Sequence, residues 1–250
     1  MHTKAIVRRP GRNFAGGITT SNLGKPDYEK ALRQHAAYCD ALARCGLEVT
    51  VLKADERYPD GCFVEDTAIV TRDVAVITRP GALARRGEEK EIARVLSGYF
   101  ETVMIEEPGT LDGGDVLRVE SHFYIGLSGR TNREGARQLS DILARYGYTS
   151  SEKEVREGLH LKSDIAYLGR GNFISTPAFS EMVQGANTMI LDNDESYSAN
   201  CLLINDYLLI PGGFPKSGKK IADIGYNIIE VEMSEFRKMD GGLTCLSLLF

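Results

Sequence analysis

The stretch Asp66-Thr67-Ala68-Ile69-Val70-Thr71-Arg72-Asp73-Val74-Ala75-Val76-Ile77 reads as an acid, a short apolar strand, a polar turn and a second apolar strand. The pattern returns twice at a spacing of 49 residues. Asp115-Val116-Leu117-Arg118-Val119 is followed by a turn over Glu120 to His122 and by Phe123-Tyr124-Ile125. Asp164-Ile165-Ala166-Tyr167-Leu168 is followed by a turn over Gly169 to Asn172 and by Phe173-Ile174. In the first two units a segment of helical period comes next, Glu88 to Leu96 and Arg133 to Tyr146, and then a Gly or Pro break. A fourth, less regular unit has Cys201-Leu202-Leu203-Ile204, the turn Asn205-Asp206, Tyr207-Leu208-Leu209-Ile210 and a helix from about Lys216 to Gly225.

The fifth unit is split between the chain ends. Lys4-Ala5-Ile6-Val7 supplies a strand, and Asp27 to Cys45 a helix capped by Asp27 after Pro26 and ended by Gly46. The C-terminal segment completes it, because Asp240-Gly241-Gly242 repeats Asp112-Gly113-Gly114. Five strand-strand-helix-strand units in 250 residues predict an α/β fold closed into a five-bladed propeller around a central channel. Radial repetition shields sheet edges and buries each unit's apolar face against its neighbours. No linker interrupts the pattern, so residues 1–250 are expected to form a single domain. An ordinary mixed sheet with accidental spacing is the alternative, since short apolar runs align easily.

Composition narrows the function. The formal charge of −5 argues against a nucleic-acid surface and is compatible with a cationic small-molecule ligand. Five cysteines, at 39, 45, 62, 201 and 245, make no CxxC pair and are odd in number, which speaks against a disulfide framework and a thiolate zinc site. No apolar run approaches the roughly 18 residues that a membrane span requires. A reducing compartment and a cytoplasmic, soluble protein are expected.

The same place in every repeat of a ring faces the axis. Residues at and before the first strands are then Asp60, Glu65 and Asp66; Asp112 and Asp115; His160 and Asp164; and Cys245. Cys and His together supply a nucleophile and a proton carrier. Carboxylates would repel a thiolate unless a cation sat between them, so several acids near a cysteine point to a positively charged substrate. A guanidinium fits, because its planar fork of N–H donors pairs bidentately with carboxylate. Plainer readings stand beside these. Cys245 could be a packed core thiol and His160, between Leu159 and Leu161, a satisfied core histidine. Asp112-Gly113-Gly114-Asp115 could be only a tight turn, and for Asp115 and Asp164 the turn reading is preferred. Arg85 and Arg130 lie at corresponding places after the second strands, as surface charges or as a clamp for a substrate carboxylate. None of the four histidines stands in an HExxH or HxxxH arrangement, so neither a metal nor another cofactor is expected.

Taken together, Phe63-Val64-Glu65-Asp66, Leu111-Asp112-Gly113-Gly114-Asp115-Val116, Ser128-Gly129-Arg130-Thr131-Asn132, Leu159-His160-Leu161-Lys162 and Asp240-Gly241-Gly242-Leu243-Thr244-Cys245 resemble the dimethylarginine dimethylaminohydrolases of the guanidine-modifying pentein superfamily. The resemblance runs along nearly the whole chain and implies the five-bladed α/β propeller of that superfamily. It implies Cys245 as nucleophile, His160 as general acid and base, and Asp66 and Asp112 as the carboxylates around the guanidinium, Asp112 being counted with the catalytic set. Arg85 and Arg130 would hold the substrate α-carboxylate, and Asp60 with the backbone near Ile18 its α-amino group. Glu65 and the Met239 backbone would complete the pocket. Some bacterial relatives carry Glu at the position of Asp112 and Leu at that of Ile18, which shortens the reach of the first toward the guanidinium by one methylene. The implied reaction is hydrolysis of Nω,Nω-dimethyl-L-arginine or Nω-methyl-L-arginine to L-citrulline and the methylated amine, through a covalent thiouronium on Cys245. A homodimer is implied by the bacterial relatives, and the segment from Phe14 to Lys25, rich in Gly, Ser and Thr, is expected to act as a lid. The rival readings are an arginine deiminase or another guanidino- or ureido-compound hydrolase on the same scaffold, and a non-enzymatic member of the fold comparable to the propeller-shaped translation factor that binds ribosomal subunits.

Overall fold

The computed structural model describes residues 1–156, 158–182 and 187–250. The chain divides into two compact units, one of residues Met1–Phe63 and Asp164–Phe250, the other of Val64–Ser163. Each is built from three-stranded sheets of a single topology.

The Val64–Ser163 unit holds two such sheets. In one, Val74–Ile77 lies in the middle, antiparallel to Ala68–Val70 and parallel to Glu101–Met104, with Ile69 opposite Val76. In the other, His122–Leu127 is antiparallel to Val116–Val119 and parallel to Thr149–Glu154. The helices Glu89–Leu96 and Arg133–Arg145 make the crossovers that parallel pairing demands. Asn132 caps the second of them by accepting from the Gly135 N–H at 2.8 Å. Every residue of Val74–Ile77 is buried, whereas the third strands Glu101–Met104 and Thr149–Glu154 are partly exposed and charged. Charge on an exposed edge discourages pairing with a foreign strand. Val74, Val76, Phe123, Ile125, Leu139 and Leu143 lie in one apolar core.

The other unit repeats the pattern three times. Asn172–Ser175 pairs antiparallel with Ile165–Gly169 and parallel with Asn187–Ile190, and Tyr207–Pro211 pairs likewise with Leu202–Ile204 and Asn227–Val231. In the last sheet Lys4–Arg8 is antiparallel to Ser247–Leu249 and parallel to Glu48–Leu52, so the repeat split between the chain ends is closed by the C-terminal strand. Its crossover helix, Tyr28–Arg44, starts at Asp27, whose carboxylate accepts from the Lys30 N–H, and stops before Gly46 at φ 87°. Ala31, Gln34, His35, Tyr38, Ala41 and Leu42 are its buried stripe, the spacing of one helix face. The helix of the fourth repeat runs Pro215–Asp223, beginning one residue earlier than its periodicity suggests because Pro215 already holds a helical φ. Among the described residues no helix is long and apolar enough to cross a membrane.

In all five repeats a short helical turn precedes the first strand: Val64–Thr67, Gly113–Asp115, Leu161–Asp164, Asn193–Ala199 and Thr244–Leu246. The chemistry-bearing residues sit in these turns or just ahead of them.

Candidate functional site

In the Val64–Ser163 unit the turns bring Asp66, Asp112 and His160 together, with one ligating atom of each within 4.8 Å of the others and all three side chains buried. His160 Nε2 lies 3.0 Å from Asp112 Oδ2 and 3.9 Å from Asp66 Oδ1. Each carboxylate is oriented by the backbone: Asp66 Oδ1 accepts the Gly114 N–H at 2.8 Å and Asp112 Oδ1 the Gly81 N–H at 2.9 Å. The Asp112-Gly113-Gly114-Asp115 run is therefore more than a turn. A Cβ on Gly114 would stand 2.6 Å from His160 Nδ1 and 2.9 Å from Asp66 Oδ1, so only glycine lets the imidazole and the carboxylate close on that backbone.

The electrostatics follow. Burial opposes the His160 imidazolium, but Asp66, the hydrogen bond to Asp112, and the charges of Asp115 and Asp112 outweigh it and raise its pKa to about 9. Burial also opposes the Asp66 carboxylate, and the charges of His160 and Arg85 overcome it and hold the group below the usual carboxylate range. Imidazolium and carboxylate are thus the forms present at neutral pH.

Arg85 is buried, with Nη1 on Asp66 Oδ2 at 2.5 Å and Nη2 on Glu88 Oε2 at 2.8 Å. Two carboxylates hold its planar fork. Arg130 Nη1 lies 3.7 Å from Asp112 Oδ2, and Glu65 is paired with Lys162 Nζ at 2.6 Å. Asp115 does more than end a turn: Ser128 and Thr131 hydroxyls donate to its Oδ2 and the Leu161 N–H to its Oδ1, which ties the Arg130 loop to the segment carrying His160. Burial raises its pKa against the pull of His160. The histidine and two aspartates are the one grouping among the described residues with metal-like spacing. Its carboxylate oxygens already accept N–H donors from Gly81, Gly114 and Arg85, so they are oriented to receive hydrogen-bond donors.

The other unit holds the remaining residues in two places. Cys245 lies half-buried in the Thr244–Leu246 turn, and the Gly242 N–H donates to its Sγ at 3.3 Å. Asp60 is buried and accepts the Ile18 N–H on both oxygens, at 3.0 and 3.1 Å. A Cβ on Gly17 would stand 2.3 Å from Asp60 Oδ1 and 3.2 Å from the Met239 methyl, which places Ile18, Asp60 and Met239 around one stretch of backbone. Asp164 accepts the Thr176 hydroxyl at 3.2 Å, a strand-end contact in keeping with its turn reading. Glu88, Lys162, Tyr197 and Asn200 have no role legible in the sequence. Glu88 and Lys162 carried a usable signal, each lying two or three residues from a site residue it touches or accompanies.

A family model described as N,N dimethylarginine dimethylhydrolase, eukaryotic, matches residues 21–174. The N(G),N(G)-dimethylarginine dimethylaminohydrolase of Pseudomonas aeruginosa is 45% identical over 258 residues, covering 100% of both chains. The protein of the same name from Streptomyces coelicolor is 37% identical over 246 residues, covering 98% of this chain and 95% of its own. A solved structure of the P. aeruginosa protein, a cysteine-to-serine variant complexed with citrulline, matches with a TM-score of 0.98 at 44% identity over 100% of each chain. The expected α/β pentein fold of five ββαβ units is the fold of this chain. The chain belongs to the dimethylarginine dimethylaminohydrolase family.

Proposed function

We propose that this protein hydrolyses Nω,Nω-dimethyl-L-arginine and Nω-methyl-L-arginine to L-citrulline plus dimethylamine or methylamine. The observation that carries the reading is the buried His160 ring set 3.0 Å from Asp112 Oδ2 and 3.9 Å from Asp66 Oδ1, since a proton carrier held beside two carboxyl groups suits a guanidinium substrate whose amine must leave protonated. Family membership along the whole chain supports it.

In this mechanism Asp66 and Asp112 hold the substrate guanidinium. Arg130 and Arg85 face the amino-acid end through its α-carboxylate, Asp60 and the Ile18 backbone take the α-amino group, and Glu65 and the Met239 backbone complete the pocket. The Cys245 thiolate attacks the guanidinium carbon to give a tetrahedral adduct. The His160 imidazolium gives its proton to the departing amine as the C–N bond breaks, leaving a covalent thiouronium on sulfur. Neutral His160 then takes a proton from water, the hydroxide adds to the same carbon, and cleavage of the C–S bond, with the hydroxyl proton passing to solvent, releases citrulline and restores the thiolate. A pKa near 9 keeps His160 protonated for the first half of the cycle.

The chain acts as one catalytic domain and as a homodimer in the cytoplasm. Five free thiols suit a reducing compartment, and the small-molecule cation is its only substrate partner. Light scattering checks the dimer, which requires a mass near twice 27.5 kDa. The decisive experiment follows citrulline and released amine together from purified protein. Citrulline with dimethylamine from dimethylarginine, and no ammonia from arginine, is the expected result; ammonia from arginine would make the enzyme a deiminase.

A further inference from the structure

The fourth repeat contributes no residue to the reaction as read above, yet it faces the cysteine turn. Asp66, Asn200 and Cys245 each stand two residues before the first strand of their repeats. Asn200 is buried, and its amide grips Thr244 at two points: Oδ1 accepts the Thr244 N–H at 3.0 Å, and Nδ2 donates to Thr244 Oγ1 at 3.1 Å. The same amide is seated on Gly242, where a Cβ would stand 2.4 Å from Asn200 Oδ1 and 2.5 Å from its Cγ. Tyr197, from the turn just ahead, donates its hydroxyl to the Gly241 carbonyl at 2.8 Å. The backbone from 241 to 244 is therefore held from one side, and it is this backbone whose Gly242 N–H points at Cys245 Sγ.

We propose that Asn200 is a positioning residue for the nucleophile: by clamping Thr244 and seating Gly242 it aims the Gly242 N–H at Cys245 Sγ, where the N–H stabilises the thiolate over the thiol. The inference rests on Cys245 being the nucleophile. A donor fixed on sulfur favours the charged form, as hydrogen bonds to ionised acceptors are the stronger ones. A donor that drifts loses that effect without removing any group that binds substrate.

The test is the pH dependence of Cys245 alkylation by iodoacetamide, read by mass spectrometry of the peptide carrying Cys245, in the wild type, Asn200→Ala, Thr244→Val and Thr244→Ser. In the first two variants the midpoint rises by about one pH unit and alkylation at pH 7 slows about tenfold, the worth of one hydrogen bond to a charged atom. Thr244→Ser keeps the hydroxyl and restores the wild-type profile. An unmoved midpoint in folded Asn200→Ala or Thr244→Val overturns the proposal, and should Asn200→Ala not fold, the two Thr244 variants decide by the same readout. Alkylation needs no turnover of dimethylarginine. A wild type that is inert toward dimethylarginine but shows the shifts would overturn the substrate assignment and leave the clamp standing.

Discussion

Replacing Asp112 by Asn changes one atom pair in the cluster and tests the proposed proton donor directly. In the wild type Nε2 of His160 faces Asp112 Oδ2 at 3.0 Å in a site shut off from water. The imidazolium survives burial because Asp66, Asp112 and Asp115 surround it, and its pKa stands at about 9. Asparagine keeps the shape but removes both the charge and the charge-assisted hydrogen bond. Such a bond is worth about 1.5 to 3 kcal/mol, which is roughly one to two pH units at 1.36 kcal/mol each. His160 in Asp112→Asn should accordingly titrate about one to two pH units lower than in the wild type.

The sign of the kinetic effect follows from which form works. His160 must be protonated to give its proton to the leaving amine, so kcat/KM falls as pH rises through its pKa, and the alkaline limb of the wild type lies near 9. In Asp112→Asn that limb moves toward neutrality. At pH 6 both proteins carry the imidazolium, and whatever deficit remains there reports the lost carboxylate at the guanidinium. The diagnostic quantity is the growth of the deficit between pH 6 and pH 9, about fivefold if the limb moves one unit and about fiftyfold if it moves two. Measuring kcat/KM over this range, with a parallel NMR titration of the histidine ring carbons, checks both statements. An alkaline limb that stays put while activity falls uniformly would refute the reasoning, because Asp112 would then be binding substrate without tuning His160.

The same pKa makes stability depend on pH. A folded value of about 9 against an ordinary 6.5 means that the His160 contribution, about 3 kcal/mol at most, is fully present below pH 6.5 and is lost as pH rises through 9, which urea titrations of the wild type and His160→Asn between pH 6 and 10 will register as a closing gap. Gly114→Ala forces the imidazole off Asp112, so kcat/KM should fall about a hundredfold and the thermal midpoint should drop with it; wild-type kinetics would show that the ring accommodates the methyl. Cys245→Ser should stop turnover yet still bind dimethylarginine by calorimetry, and turnover near wild type would remove the thiol from the mechanism. Asp60→Asn should raise KM about tenfold with kcat nearly kept, since it removes a charged partner of the α-amino group; a fall in kcat alone would contradict that assignment.

A residue's role is legible in the sequence when its neighbours come from its own repeat. Asp66, Asp115 and Cys245 were legible as heads of repeats because each lies within two residues of a strand whose apolar run is visible, and the split repeat was legible because Asp240-Gly241-Gly242 copies Asp112-Gly113-Gly114. The mutual pairing of Asp112 with His160 was not, for the two lie 48 residues apart and meet only through the packing of two turns. Asp115 shows the limit most clearly: its sequence context is that of a turn residue, but Ser128, Thr131 and Leu161 all donate to it, and burial without those donors would be costly. Asn200 was hidden for a different reason. An asparagine before a strand reads as a turn, and nothing local distinguishes it from Asn205, which adopts φ 52° in a hairpin. Its role exists only because the Cys245 turn, 45 residues away, leaves an N–H and a hydroxyl on Thr244 for its amide to satisfy. Patterns of period two and period 3.6 report what a residue does to its own element, whereas a site is made where elements end and their unpaired groups must find partners from other repeats.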